Sequence, residues 1–236
     1  MLVRTACAQA LALAFPVECA GCGEPDVALC DACRGMLWPH VRVRTLRGGL
    51  EVRSALPFSD VPARVLRALK ENGRTHLARA LAPALAAAAE SATGDIVVPV
   101  VVPVPTSRAA MRRRGYRVAD LLARRAGLRP VPALRVARIT ADQRRLSRDE
   151  RARNVACSMR ATRRLDGVKV LLVDDVVTTG ATLEEAARAL RAAGARLCGA
   201  ITVAATPRRF GSDAAAASRS VSGIEATASD SHVSGE

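Results

Sequence analysis

The stretch Val170–Thr182 reads VLLVDDVVTTGAT. An apolar run stops at two adjacent carboxylates, Asp174 and Asp175, and gives way to hydroxyls and a glycine. Lys169–Val173 predicts a short, continuously apolar strand of the kind buried in parallel sheets. Val176–Gly180 predicts the crossover, and TLEEAARALRAAG the helix that follows it. Thr182 and Glu185 have the spacing of a capping box, and Gly194 stands just past the helix end. ARLCGAITVAA, from Ala195, returns as another strand. Strand, turn, helix and strand in that order argue for an α/β fold, a parallel sheet flanked by helices.

Ligands of open α/β sheets bind at the C-terminal ends of strands, which is where Asp174 and Asp175 fall. Backbone N–H groups at a helix N-terminus attract phosphate, and the hydroxyls of Thr178, Thr179 and Thr182 add donors. Gly180 lets the backbone approach closely. Carboxylates accept hydrogen bonds from vicinal hydroxyls or hold Mg2+. A ribose phosphate satisfies both halves of such a turn. The plainer alternative is an ordinary capped βα turn with both aspartates in solvent. The pattern is neither a Walker A loop, which needs Gly-Lys-Ser/Thr, nor a dinucleotide G-x-G-x-x-G.

The 236 residues suffice for one ordinary domain and a small one. Half are hydrophobic but only 2% are aromatic, so Ala, Val and Leu must build the core. No apolar run approaches the roughly 20 residues of a membrane span. MLVRTACAQALALAF has the outline of a signal peptide, but Gln9 interrupts it, and an amphipathic helix packed on the next module is the preferred reading. The formal charge of +14 invites an anionic or nucleic-acid partner. Lys70 and Lys169 are the only lysines, so codon bias contributes to the arginine excess. Even so, Arg108–Arg164 gathers eighteen arginines against four acids.

SDVPARVLRALKENG predicts a helix capped at Ser59 or Asp60, with Pro62 in its first turn and Gly73 beyond its end. THLARALAPALAAAAE continues helically, with Pro83 expected to kink or restart it. IVVPVVVPVP from Ile96 fits a buried parallel strand that ends early at its prolines. YRVADLLARRAG predicts a helix with Val118, Leu121 and Leu122 inward. After Pro207 the chain is rich in Ser, Gly and Ala and reads as a disordered tail. The expected organisation is 1–47, an N-terminal helix and cysteine module; 48–206, the α/β domain; and 207–236, the tail.

CAGCGEPDVALCDAC places Cys19-x2-Cys22 and Cys30-x2-Cys33 seven residues apart. Two such knuckles present four thiolates to one structural Zn2+; disulfides are the alternative, without a secretory context to support them. Cys7, Cys157 and Cys198 stand alone. Trp38 lies near Arg42, Arg44 and Arg47, which fits single-stranded nucleic acid stacking or simple packing on the cysteine module.

At VLLVDDVVTTGAT the chain resembles the phosphoribosyl-pyrophosphate (PRPP) motif of type I phosphoribosyltransferases, and other segments narrow the likeness. VVPVPTSRAAMRRRGY looks like the pyrophosphate-side strand and arginine-rich loop of that group. ADQRRLSRDERARN, VLRALKENGR and the paired cysteines are similar to blocks of the ComF/GntX-like family, in order from about Cys19 to Ala204. Two departures stand out: Arg117 and Val118 replace a usual Asn-Gln, and Met159 a usual phenylalanine. The resemblance implies a type I phosphoribosyltransferase sheet preceded by a small zinc ribbon. It implies that Asp174 and Asp175 hold the ribose hydroxyls, with or without Mg2+, and are the catalytic pair. Val176, Val177, Thr178, Thr179, Gly180, Ala181 and Thr182 would bind PRPP, with Thr178 to Thr182 cradling the 5-phosphate. Arg113 and Arg114 would face the pyrophosphate, with Gln143, Arg151 and Asn154 in support. The implied protein is cytoplasmic and linked to DNA uptake or nucleotide metabolism, its partners PRPP and single-stranded DNA or the uptake machinery. It is a phosphoribosyltransferase with an unread acceptor, or alternatively a PRPP- or nucleotide-sensing, DNA-associated protein that does not turn over.

Overall fold

The apolar runs become strands of the main sheet. The computed structural model describes residues 17–93, 99–137 and 157–207. Gln143, Arg151 and Asn154, the N-terminal helix reading and the tail beyond Pro207 lie outside the described residues. The main sheet contains β1 (Arg42–Thr45), β2 (Glu51–Pro57), β3 (Val100–Pro103), β6 (Lys169–Val177) and β7 (Arg196–Ala205), in the order β1-β2-β7-β6-β3. Within it only β1 and β2 pair antiparallel; every other pairing is parallel. Two short strands, β4 (Leu134–Val136) and β5 (Met159–Ala161), form a separate antiparallel pair.

The centre of the sheet is covered on both faces, which explains why its strands do not alternate apolar with polar. Along β6 the side chains instead alternate between two cores. Leu171 and Val173 join one cluster, Val170 and Leu172 the other. The first cluster is built by α2 (Asp60–Glu71), α3 (Ala78–Thr93) and α5 (Val118–Arg125), with α1 (Asp31–Gly35) contributing Cys33. In α3, Leu81, Ala84, Leu85 and Ala88 recur at helical spacing and have no exposed surface. The second cluster is built by α6 (Ala181–Arg191), which contributes Leu183, Ala186 and Leu190.

Local expectations hold for α2, whose N-cap is Ser59, and for α5, which buries Val118 and Leu122 and leaves Leu121 half-buried. Pro83 does not break α3. It lies on the exposed side, and the carbonyl its ring leaves without a donor belongs to Arg79, also exposed, so water can satisfy it. The interruption falls earlier, at a single 3-10 turn, Thr75–Leu77. The arginine-rich segment expected as a loop forms a helix, α4 (Arg108–Arg114). Ser107 caps it by accepting the Ala110 N–H at 3.2 Å, and Gly115 ends it at φ 76°.

The expected capping box is absent. The N-cap of α6 is Gly180, at φ 90°, which has no side chain to cap with. Glu185 instead turns inward, where its Oε1 accepts the Met159 N–H at 2.9 Å. Arg188 donates to Glu185 at 2.7 and 2.8 Å and to the Met159 carbonyl at 3.1 Å. Burial alone would raise the Glu185 carboxyl, but Arg188 and the Met159 and Cys157 N–H groups hold it below its ordinary range. The pair thus brackets the backbone N–H and carbonyl of one residue of β5 and fastens the β4–β5 hairpin to α6. Met159 itself is buried in the second core.

Candidate functional site

Strand β6 is longer than its apolar pattern. It continues through both aspartates to Val177, with Asp174 opposite Thr202 and Val176 opposite Ala204 on β7. The carboxylates therefore stand within the ladder and not beyond it, because the backbone pairing persists after the apolar side chains stop. Thr202 in turn shares a 2.6 Å hydrogen bond with Ser54 on β2, so a buried polar row runs through three strands to Asp174.

Two carboxylates side by side at a buried strand end repel each other. Lys70, in the last turn of α2, supplies the opposing charge: its Nζ lies 2.9 and 3.1 Å from the two Asp175 carboxylate oxygens. Leu69, beside it, is fully buried, and its carbonyl accepts the Tyr116 hydroxyl, which fixes the backbone that carries Lys70. Asp174 accepts the Asp175 N–H at 2.8 Å. Burial and the Asp175 charge nevertheless push the Asp174 carboxyl up to about 7, against the smaller pull of that N–H and of Lys70. Lys70 is the site residue that motif reading misses. One of only two lysines among many arginines, within VLRALKENGR, it is visible in the sequence.

The turn after β6 leaves Thr178, Thr179 and Thr182 exposed. Thr179 Oγ1 accepts the Ala181 N–H at 3.3 Å. Gly180 is required twice over: its φ of 90° suits glycine, and a Cβ there would meet the Leu46 methyls at 2.6 and 2.7 Å. The turn is also held from outside. Arg44, on β1, donates to the Thr178 carbonyl at 2.9 Å and to the Thr179 carbonyl at 3.4 Å. The Gly48 N–H, in the β1–β2 connection, donates to Glu184 Oε1 at 3.2 Å.

Strand β3 pairs with β6, placing Pro103 opposite Val173, and the Val104 N–H donates to the Val173 carbonyl at 2.8 Å. The segment leaving β3, which includes α4, thus emerges beside the acidic pair. Arg113 is exposed and Arg114 half-buried, with its Nε enclosed and without a hydrogen-bond partner among the described residues. No described hydrogen bond or ion pair joins either arginine to the aspartates; the link from this segment to the site runs through Tyr116 and Leu69. Arg124, Arg125, Arg163 and Arg164 are exposed.

Cys19, Cys22, Cys30 and Cys33 come together with all four Sγ atoms within 4.8 Å of one another. Sγ separations of 3.7 Å, Cys19–Cys30 and Cys22–Cys30, exceed a disulfide and match the about 3.8 Å between thiolates tetrahedrally bound at about 2.3 Å to zinc. The Gly21 and Cys30 N–H groups each point at Cys19 Sγ at 3.4 Å. Burial would raise the Cys19 thiol, but these and the Cys22 N–H bring it down to about 6, while burial and the neighbouring thiols push Cys33 up to about 12. Four thiolates so close need a cation to coexist, and the donor set fits zinc. The module shares the core of α2: Cys19, Leu29, Cys33 and Leu37 cluster with Val61 and Val65, and Arg74 donates to the Ala28 carbonyl at 2.9 Å. Trp38 is 82% exposed, so it does not pack on the module.

Fold and site together define an α/β protein with an acidic pair at a strand end and a turn leading into a helix N-terminus. A family model described as phosphoribosyl transferase domain matches residues 79–230, more than half of the chain, and the chain belongs to that family. No curated protein matches it. Among solved structures, an adenine phosphoribosyltransferase is similar at 16% identity, over 73% of this chain and 89% of that one, with a TM-score of 0.39. The Leishmania donovani UMP synthase is similar at 15% identity, over 74% of this chain and 30% of that one, with a TM-score of 0.33. TT1426 from Thermus thermophilus shares 20% identity over 57% and 86% of the two chains, with a TM-score of 0.29.

The charges around Asp174 predict opposite responses. Asp175→Asn removes the repelling neighbour and lowers the Asp174 titration from about 7, whereas Lys70→Met removes the attracting cation and raises it. Carboxyl 13C NMR reads both, and shifts of the same sign refute the assignment. Because the folded value lies above the ordinary carboxylate pKa of about 4, this group's stabilising contribution is complete below about pH 4 and lost as pH rises through about 7. For the cysteines, the expected outcome of metal analysis on protein purified under reducing conditions is one zinc per chain. Cys30→Ser loses that zinc and, through the shared core, lowers the melting temperature. Wild-type protein without zinc overturns the metal assignment.

Proposed function

We propose that the chain binds PRPP and transfers its phosphoribosyl group to an acceptor, with release of pyrophosphate. The observation that carries this reading is the acidic pair on β6 leading directly into a glycine-capped helix N-terminus. Asp174 and Asp175 accept the ribose hydroxyls, and Thr178 to Thr182 surround the 5-phosphate with N–H and hydroxyl donors. Arg113 and Arg114 stand on the pyrophosphate side. Displacement at C1 builds positive charge on the sugar and negative charge on the departing pyrophosphate, so positioning and electrostatics supply the catalysis. Mg2+, when bound with the ligand to the carboxylate oxygens, neutralises charge on the leaving group. Asp174 must be ionised to accept these partners. Gln143, Arg151 and Asn154, in a block resembling the ComF/GntX-like family, fit a supporting role, and the paired cysteines ahead of this domain fit the zinc ribbon of that family. A reduced zinc ribbon also fits a cytoplasmic setting.

Incubation with PRPP and Mg2+ beside a pool of nucleobases and amines releases pyrophosphate, and Asp174→Asn abolishes the release. Tight PRPP binding without release sinks the transferase reading and leaves the sensing one.

One observation favours a second surface for nucleic acid. Trp38 and Val43 are exposed apolar side chains, near exposed Arg42 and Arg47 in the sequence, and such residues together can stack single-stranded bases. Affinity for an oligonucleotide falls steeply as salt rises if phosphates are contacted; a flat response removes this surface.

A further inference from the structure

The turn expected to receive the 5-phosphate is held from behind by a part of the chain outside the matched family span. Residues 79–230 match the family, whereas Arg44, Leu46 and Gly48 belong to the β1–β2 hairpin ahead of it. Three contacts fasten this hairpin to the turn and the helix after it. Arg44 donates to the Thr178 and Thr179 carbonyls, Leu46 fills the space beside Gly180, and the Gly48 N–H meets Glu184.

Peptide planarity gives these contacts a consequence. In a trans peptide the carbonyl and the following N–H point in opposite directions. Drawing the Thr178 carbonyl toward Arg44 turns the Thr179 N–H away from the hairpin, and drawing the Thr179 carbonyl the same way does so for the Gly180 N–H. Both carbonyls are satisfied on one side, so both donors are presented on the other. Leu46, buried against Gly180, prevents the turn from rolling back. A cation held behind the turn also adds favourable potential for an anion in front of it.

We propose that Arg44 is a positioning residue for the phosphate cradle, fixing two turn carbonyls so that the Thr179 and Gly180 N–H groups face the 5-phosphate. This rests on the ribose-phosphate reading above and adds to it a residue that touches no ligand. The hairpin is thereby part of the binding site and not only an edge of the sheet.

Calorimetric titration of wild type, Arg44→Gln and Arg44→Lys with PRPP, ribose 5-phosphate and pyrophosphate tests it. The two ligands carrying a 5-phosphate weaken about tenfold in Arg44→Gln, while pyrophosphate binds as before. Arg44→Lys, which keeps the charge but lacks the two-pronged guanidinium, recovers part of the loss. Unchanged affinity for ribose 5-phosphate in folded Arg44→Gln overturns the proposal, as does equal weakening of all three ligands. If circular dichroism shows Arg44→Gln unfolded, the lysine variant decides: an intermediate loss confined to the 5-phosphate ligands supports the proposal, and wild-type affinity overturns it. Failure of wild-type protein to bind either 5-phosphate ligand removes the ribose-phosphate reading itself, and the proposal with it.

Discussion

The molecule is organised around the problem of keeping two adjacent carboxylates at the end of a buried strand. The ion pair between Lys70 and Asp175 is the chain's solution to it. Three elements meet there: β6 carries the aspartates, α2 carries the lysine, and Tyr116, just after α4, anchors the α2 backbone through Leu69. The pair is mostly shielded, so the loss of hydration is offset only because geometry brings the ammonium onto both oxygens of one carboxylate. Asp174 receives less of this help and is left close to the point of gaining or losing its proton.

Much of the sheet's centre is legible in the sequence because burial on both faces gives uninterrupted apolar runs. β6, α6 and β7 follow from that pattern, as does the position of the acidic pair at the strand's C-terminal half. The extent of β6 is not legible. Polar side chains end the pattern at Val173, but the ladder to β7 continues under Asp174 and Asp175, kept there by a lysine 105 residues earlier. Glu185 fits a capping box by spacing alone. Its actual partner, the Met159 peptide, is 26 residues upstream on a three-residue strand that has no periodic signature.

The hairpin is the least visible part. β1 is four residues long with three of them exposed, so an edge strand in RVRT leaves no apolar rhythm to read. Sequence proximity groups Arg44 with Trp38, whereas its guanidinium serves a turn 134 residues away. The cysteines are the opposite case. Their chemistry is fixed by spacing, and the fold needs only to bring the two knuckles together.

The strand order has a consequence for how the chain is made. β7 lies between β2 and β6, and it is the last described strand to be synthesised. Ser54 must wait for Thr202, 148 residues later, a delay of roughly seven to thirty seconds at ribosomal speed. Until then β2, α2 and α3 have an apolar face with no central strand to cover it, and pairing at such separation is slow in any case. The cysteine module closes over only the span from Cys19 to Cys33 and can be complete while the rest is still emerging. It gives the nascent N-terminal half a folded partner for α2 during the interval in which that half is most exposed to misassembly.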